Sequence, residues 1–150
     1  LIFTVRFRFG AAVLASLCLM SLQHADAGAT SLRSVNEYGS LTLKSSKGAS
    51  ILEQGHGWGS FDCRVTINLT VSGTLVTASY TAYPHGGSIR GQAKAYIRSA
   101  SKAGASYTGM IWLHGGSGAY AGASGSASFD GTINRKTYAM SLRIAGRVRL

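Results

Sequence analysis

Residues 64–71 read Arg-Val-Thr-Ile-Asn-Leu-Thr-Val, with every second residue apolar and every other one polar. A helix would bring residues three and four apart onto one face and scatter this pattern. A strand puts Val65, Ile67, Leu69 and Val71 on one side and Arg64, Thr66, Asn68 and Thr70 on the other. The rule recurs downstream, where Val76, Ala78, Tyr80 and Ala82 alternate with Thr77, Ser79 and Thr81. It returns at the end, with Tyr138, Met140, Leu142, Ile144, Val148 and Leu150 opposed to Ser141, Arg143, Arg147 and Arg149. Strands of this kind bury one face and wet the other.

Turn-forming residues punctuate the pattern at Ser46–Gly48, Ser72-Gly73, Tyr83–Gly87, Gly115–Gly118 and Asn134–Lys136. The spacing predicts eight strands, near 40–46, 49–54, 60–71, 75–83, 88–98, 105–114, 124–133 and 137–149. Short linkers favour antiparallel pairing of sequential neighbours. Closure of eight strands into a barrel would remove the exposed edges, and a two-sheet sandwich is the alternative. The fold class expected is therefore all-β, in one domain over 40–150 preceded by a flexible leader at 28–39.

The start of the chain reads differently. Arg6 and Arg8 precede an uncharged apolar run from Phe9 to Leu22, and Ala25-Asp26-Ala27 supplies the small-x-small pattern that a signal peptidase reads. The run is shorter than the ~20 residues needed to span a bilayer. A signal peptide over 1–27 is expected, with cleavage near Ala27-Gly28 and a secreted or periplasmic destination. No later segment is long and apolar enough for a transmembrane helix. Cleavage would leave Cys63 as the lone cysteine, so no intramolecular disulfide forms; a buried inert thiol or a pairing between chains remains. It would also leave thirteen Lys and Arg against four acids, a net charge of +9. Such an excess attracts anionic surfaces, among them wall polymers, acidic polysaccharide and lipid headgroups.

The segment Tyr107-Thr108-Gly109-Met110-Ile111-Trp112-Leu113-His114-Gly115-Gly116-Ser117-Gly118-Ala119-Tyr120-Ala121-Gly122-Ala123-Ser124-Gly125 runs from a strand through Gly-Gly-Ser-Gly and an aromatic into another strand. It resembles the GG[ST]G-x-[FY]-x-G-x-x-G signature of the allene oxide cyclase and dirigent barrels, and the GG[ST]GxYAGAxG segment of small exported bacterial proteins. The resemblance covers about 105–149 and implies an eight-stranded antiparallel barrel. It assigns Gly115, Gly116, Gly118, Tyr120, Gly122 and Gly125 to a structural turn, with the aromatic plugging the barrel end. The plant cyclases act on a fatty-acid epoxide and dirigent proteins steer phenoxy-radical coupling. No motif in the other half of the chain carries either activity across.

Chemistry-bearing motifs are sparse. Gly116-x-Gly118 lacks the third glycine and the helix that a dinucleotide loop requires. His56, His85 and His114 have no metal-ligand spacing, and Cys63 has no partner, so neither metal nor cofactor is expected. Serines are abundant without a nucleophile motif such as GxSxG. Glu53 and Asp62 flank Gly55-His56-Gly57-Trp58-Gly59, read as a loop, and could form a carboxylate pair beside an aromatic. Lys94 and Arg98 share one strand face, as do Arg143, Arg147 and Arg149, and the two faces would make a positive stripe on one barrel.

These readings converge on a secreted, basic, non-catalytic barrel that binds an anionic wall or polysaccharide surface through Trp58, Lys94, Arg98, Arg143, Arg147 and Arg149. Nucleic acid is not an expected partner, because no stacking-aromatic motif accompanies the charges. Two rivals use the interior instead. One is an enzyme or dirigent-type barrel acting on a small apolar ligand, and the other is a lipocalin-like carrier. Both require a hollow lumen where Val76, Tyr80, Phe129 and Met140 would otherwise fill it.

Overall fold

The structure, a computed structural model, describes residues 31–150. The expected signal peptide and the first residues of the leader lie outside the described residues. Eight strands follow in order: β1 (Leu32–Lys47), β2 (Ser50–Gly59), β3 (Cys63–Ser72), β4 (Leu75–Pro84), β5 (Gly87–Ala100), β6 (Gly104–Gly118), β7 (Ser124–Asn134) and β8 (Met140–Arg149). Each pairs antiparallel with its sequential neighbour, and β1 closes on β8, giving a closed barrel rather than a sandwich. No helix occurs among the described residues.

Alternation decides which side faces in. Leu69, Ala95, Phe129, Met140 and Val148 are buried, while their strand neighbours Thr70, Lys94, Tyr96, Ser128, Ser141, Arg147 and Arg149 are exposed. Apolar-in and polar-out is the reverse of a membrane barrel, whose apolar residues face lipid. The interior divides into two clusters. One gathers Val35, Ile89, Leu113, Ala123, Ala127 and Val148. The other gathers Leu41, Leu69, Ala95, Tyr107, Phe129 and Met140.

Four expectations need correction. The leader expected at 28–39 is strand from Leu32 onward: Leu32–Leu41 pairs residue for residue with β8, because closure needs a strand there. The 55–59 loop is the end of β2, its glycines at inward positions pressed against neighbouring strands. A Cβ on Gly55 would stand 2.7 Å from the Leu41 Cα, so the glycine is the residue that permits strand pairing there. Tyr138 lies in the β7–β8 turn with φ of 56° and is exposed, so β8 begins at Met140. Finally, Gly115, Gly116 and Gly118 belong to β6 and Gly125 to β7; the turn itself spans 119–122, including Tyr120 and Gly122. Gly116 pairs with Ile89 so closely that an added Cβ would meet the Ser88 carbonyl at 1.9 Å. The glycine run thus presses β6 onto β5. Tyr120 sits edge-on to Phe61 at 6.1 Å and donates its hydroxyl to the His85 carbonyl, tying the β6–β7 turn across this end of the barrel.

Candidate functional site

The lumen is not filled. A cavity of about 160 Å³ lies between the two core clusters, with a surface that is almost entirely apolar. Val76, Tyr80, Ile111, Phe129, Met140 and Ile144 are among its lining residues. The side chains that could have plugged the barrel therefore surround a void.

Two glycines make this arrangement possible. Tyr80 on β4 pairs across the ladder with Gly91 on β5, and Tyr107 on β6 pairs with Gly131 on β7. Each ring lies over the glycine beside it: a Cβ at Gly91 would stand 2.5 Å from the Tyr80 hydroxyl, and one at Gly131 would stand 2.4 Å from that of Tyr107. Both tyrosines are thereby laid against the barrel wall rather than across its centre. Phe129 meets Tyr107 edge to face at 6.0 Å and stiffens that side.

Polar atoms are few, buried and unsatisfied. The hydroxyls of Tyr80 and Tyr107, both carboxylate oxygens of Glu53 and Oε2 of Glu37 have no hydrogen-bond partner. Such groups normally find one, because desolvation without a bond costs about 1–3 kcal/mol each. Burial raises the pKa of both phenols, and in Tyr107 the charge of Glu53 adds to the effect. Glu53, with none of its surface exposed, is pushed up to about 7 by burial alone. Its register partners are Leu43 and Ile67, so it is enclosed by apolar packing outside the cavity lining.

Glu37 and Cys63 belong to the lining nearer the Phe61 end. The Phe61 N–H donates to Glu37 Oε1 at 2.5 Å. Burial raises the pKa of this carboxyl, against the opposing pull of the Phe61 and Ser60 N–H groups. Cys63 is free and buried, its thiol pushed up to about 11 by burial and, secondarily, by Glu37. A thiol held neutral is a poor nucleophile. The interior thus offers apolar contact, its few polar groups adding almost nothing to the cavity surface, and among the described residues no activated nucleophile with a base.

The site residues expected from the sequence all lie on the outer wall. Trp58 is 46% exposed and packs near-parallel to Tyr38 at 6.3 Å and to His56 at 6.4 Å. Arg143 lies over the Tyr38 ring at 6.0 Å, so the fold brings Trp58 and Arg143 together around a residue the sequence did not single out. Arg147 and Arg149 continue along β8. Lys94 and Arg98 do not join them: β6 and β7 separate β5 from β8, and no single positive stripe forms. The Glu53–Asp62 carboxylate pair does not form either. Glu53 points inward, whereas Asp62 is 84% exposed and bonds His56 Nε2 at 2.8 Å, so the barrel wall stands between them. Among the described residues no group of three His, Cys, Asp or Glu side chains could hold a metal.

Comparison of the chain with protein-family models, with curated proteins and with solved structures finds no match to any of them.

Proposed function

We propose that this barrel is a binding protein for a small, largely apolar molecule held in its lumen. The observation that carries the reading is the void itself: apolar, and lined by side chains of all eight strands, the rings of Tyr80 and Tyr107 among them. A dry apolar cavity of ~150 Å³ takes a guest the size of benzene. At about 160 Å³ the lumen suits one ring or a short branched chain. It is well below the ~300–1,000 Å³ of pockets for drug-sized ligands, so a long acyl chain is not the natural guest. With almost no polar surface on the wall, a guest without hydrogen-bonding groups is favoured.

The glycine-rich segment resembles that of the allene oxide cyclase and dirigent barrels, and a lumen guest is in line with what that resemblance implies. Carriage is favoured over catalysis by the neutral thiol of Cys63 and by Glu53 standing outside the lining.

Calorimetric titration and thermal unfolding with benzene and acetophenone test the proposal. Both compounds should bind saturably, and at 100 times Kd each should stabilise the fold by about 2.7 kcal/mol. Acetophenone, whose carbonyl would give up its hydrogen bonds to water against an apolar wall, should bind no more tightly than benzene, and the Tyr80→Phe, Tyr107→Phe double variant should bind both as the parent does. Absence of saturable binding by either compound to the folded protein would overturn the reading.

A further inference from the structure

The outer surface of the same wall carries a second concavity that the lumen reading does not use. A groove of about 680 Å³ crosses the outside of β1 to β6. Its floor follows directly from the register. Asn68 pairs with Ser79, Ser79 with Gln92, and Gln92 with Trp112, so four side chains on successive strands stand in one row. At about 4.8 Å between strands this row is roughly 14 Å long. Beside it runs a second row in which Thr70 pairs with Thr77 and Thr77 with Lys94.

The chemistry of the two rows is uniform. Amides and hydroxyls on the floor offer donors and acceptors in alternation, and none belongs to a hydrogen bond between these side chains. Trp112, 39% exposed, ends the row as a ring wall. Lys94 stands along it, Lys47 borders it near the β1–β2 turn, and no carboxylate is among the lining residues. The one acid on β2, Glu53, points into the barrel.

We infer that this groove binds a short acidic oligosaccharide. A sugar ring presents an apolar face that stacks on an indole and an equator of hydroxyls that bonds amides and alcohols. Lys47 and Lys94, unopposed by acids, would receive its carboxylates. A nucleic acid strand fits less well, because base stacking needs successive aromatic platforms and this groove has one. The general positive charge of the chain thereby acquires a specific place, set by Lys94 and Trp112 rather than by a stripe of arginines.

The test is titration of the protein with tetragalacturonate, with a neutral cellotetraose of similar length, and with an oligothymidylate. Tetragalacturonate should bind most tightly, weaken as salt rises, and perturb the amide resonances of Asn68, Ser79 and Gln92. Trp112→Ala should weaken it roughly tenfold or more, as truncation of an anchoring aromatic does. Lys94→Ala should weaken it several-fold and flatten its salt dependence. Both substitutions are at exposed positions, and the thermal unfolding midpoint checks that each variant keeps its barrel. Cellotetraose bound as tightly as tetragalacturonate would overturn the acidic assignment. Equal binding of oligothymidylate, or galacturonate binding indifferent to both substitutions, would overturn the site.

Discussion

The inner and outer surfaces of β3 to β6 are made by the same residues read alternately, and they behave as two different materials. Inward, Leu69, Ala78 and Ala93 pack into the wall of an apolar void. Outward, Asn68, Ser79 and Gln92 floor a polar groove one residue away in each strand. The inner surface is intolerant, because packing at crystal-like density makes every lost methylene a cavity. The outer surface is tolerant, because water replaces whatever is removed. Stability therefore depends on one face of each strand, while recognition of polar partners is free to occupy the other.

The sharpest way to break this comparison is to truncate on each face in turn. Leu41→Ala removes a side chain that is only 1% exposed and should cost about 2–5 kcal/mol in chemical denaturation. Thr70→Ala, on the outer row, should stay within ~0.5 kcal/mol. Equal costs on the two faces would mean that the inner side chains are not packed against one another.

Glu53 is the place where the inner face violates its own rule, and its effect depends on pH. Its folded pKa of about 7 lies above the ordinary 4.5, so the unfolded chain releases the proton first as pH rises. The protonated carboxyl is tolerated below 4.5, and the penalty grows between 4.5 and 7 and then levels off. At 1.36 kcal/mol per pKa unit the full penalty is about 3 kcal/mol. Glu53→Gln should therefore leave stability unchanged at pH 4 and raise it by about 3 kcal/mol at pH 8. The same gain at both values would show that folding does not raise the pKa of this carboxyl.

A subtler change probes the void. Gly131→Ala places a Cβ where the Tyr107 hydroxyl now lies, at 2.4 Å, and must drive the ring toward the lumen. The space is there to receive it, so the cost should be about 1 kcal/mol, at the low end of overpacking. Benzene binding should fall more than stability does. A variant that binds benzene as the parent does would place the guest elsewhere.

Much of this architecture is legible in the chain, and the parts that are not share one cause. Strands such as Cys63–Ser72 and Met140–Arg149 announce their inward faces because those faces are aliphatic. β1 hides itself because its inward positions include Glu37 and Gly39, which break the apolar alternation. The end of β2 reads as a loop because Gly55, Gly57 and Gly59 resemble turn residues. They mark the close approach of β1 backbone at Gly55 and Gly59 and of the Cys63 thiol at Gly57, visible only when the register is known. The same holds for Gly91 under Tyr80, Gly131 under Tyr107, and the row from Asn68 to Trp112. Local sequence carries periodicity; it does not carry the cross-strand pairing that turns isolated residues into a cavity or a groove.

The central claim is that the lumen is an accessible apolar void. Diffraction from crystals pressurised with xenon tests it without assuming a ligand, since xenon enters dry cavities of this size. Xenon density is expected inside the barrel, in contact with Ile111, Phe129 and Ile144 and absent from the outer groove. A barrel free of xenon, with the lining side chains closed over the centre, would contradict it.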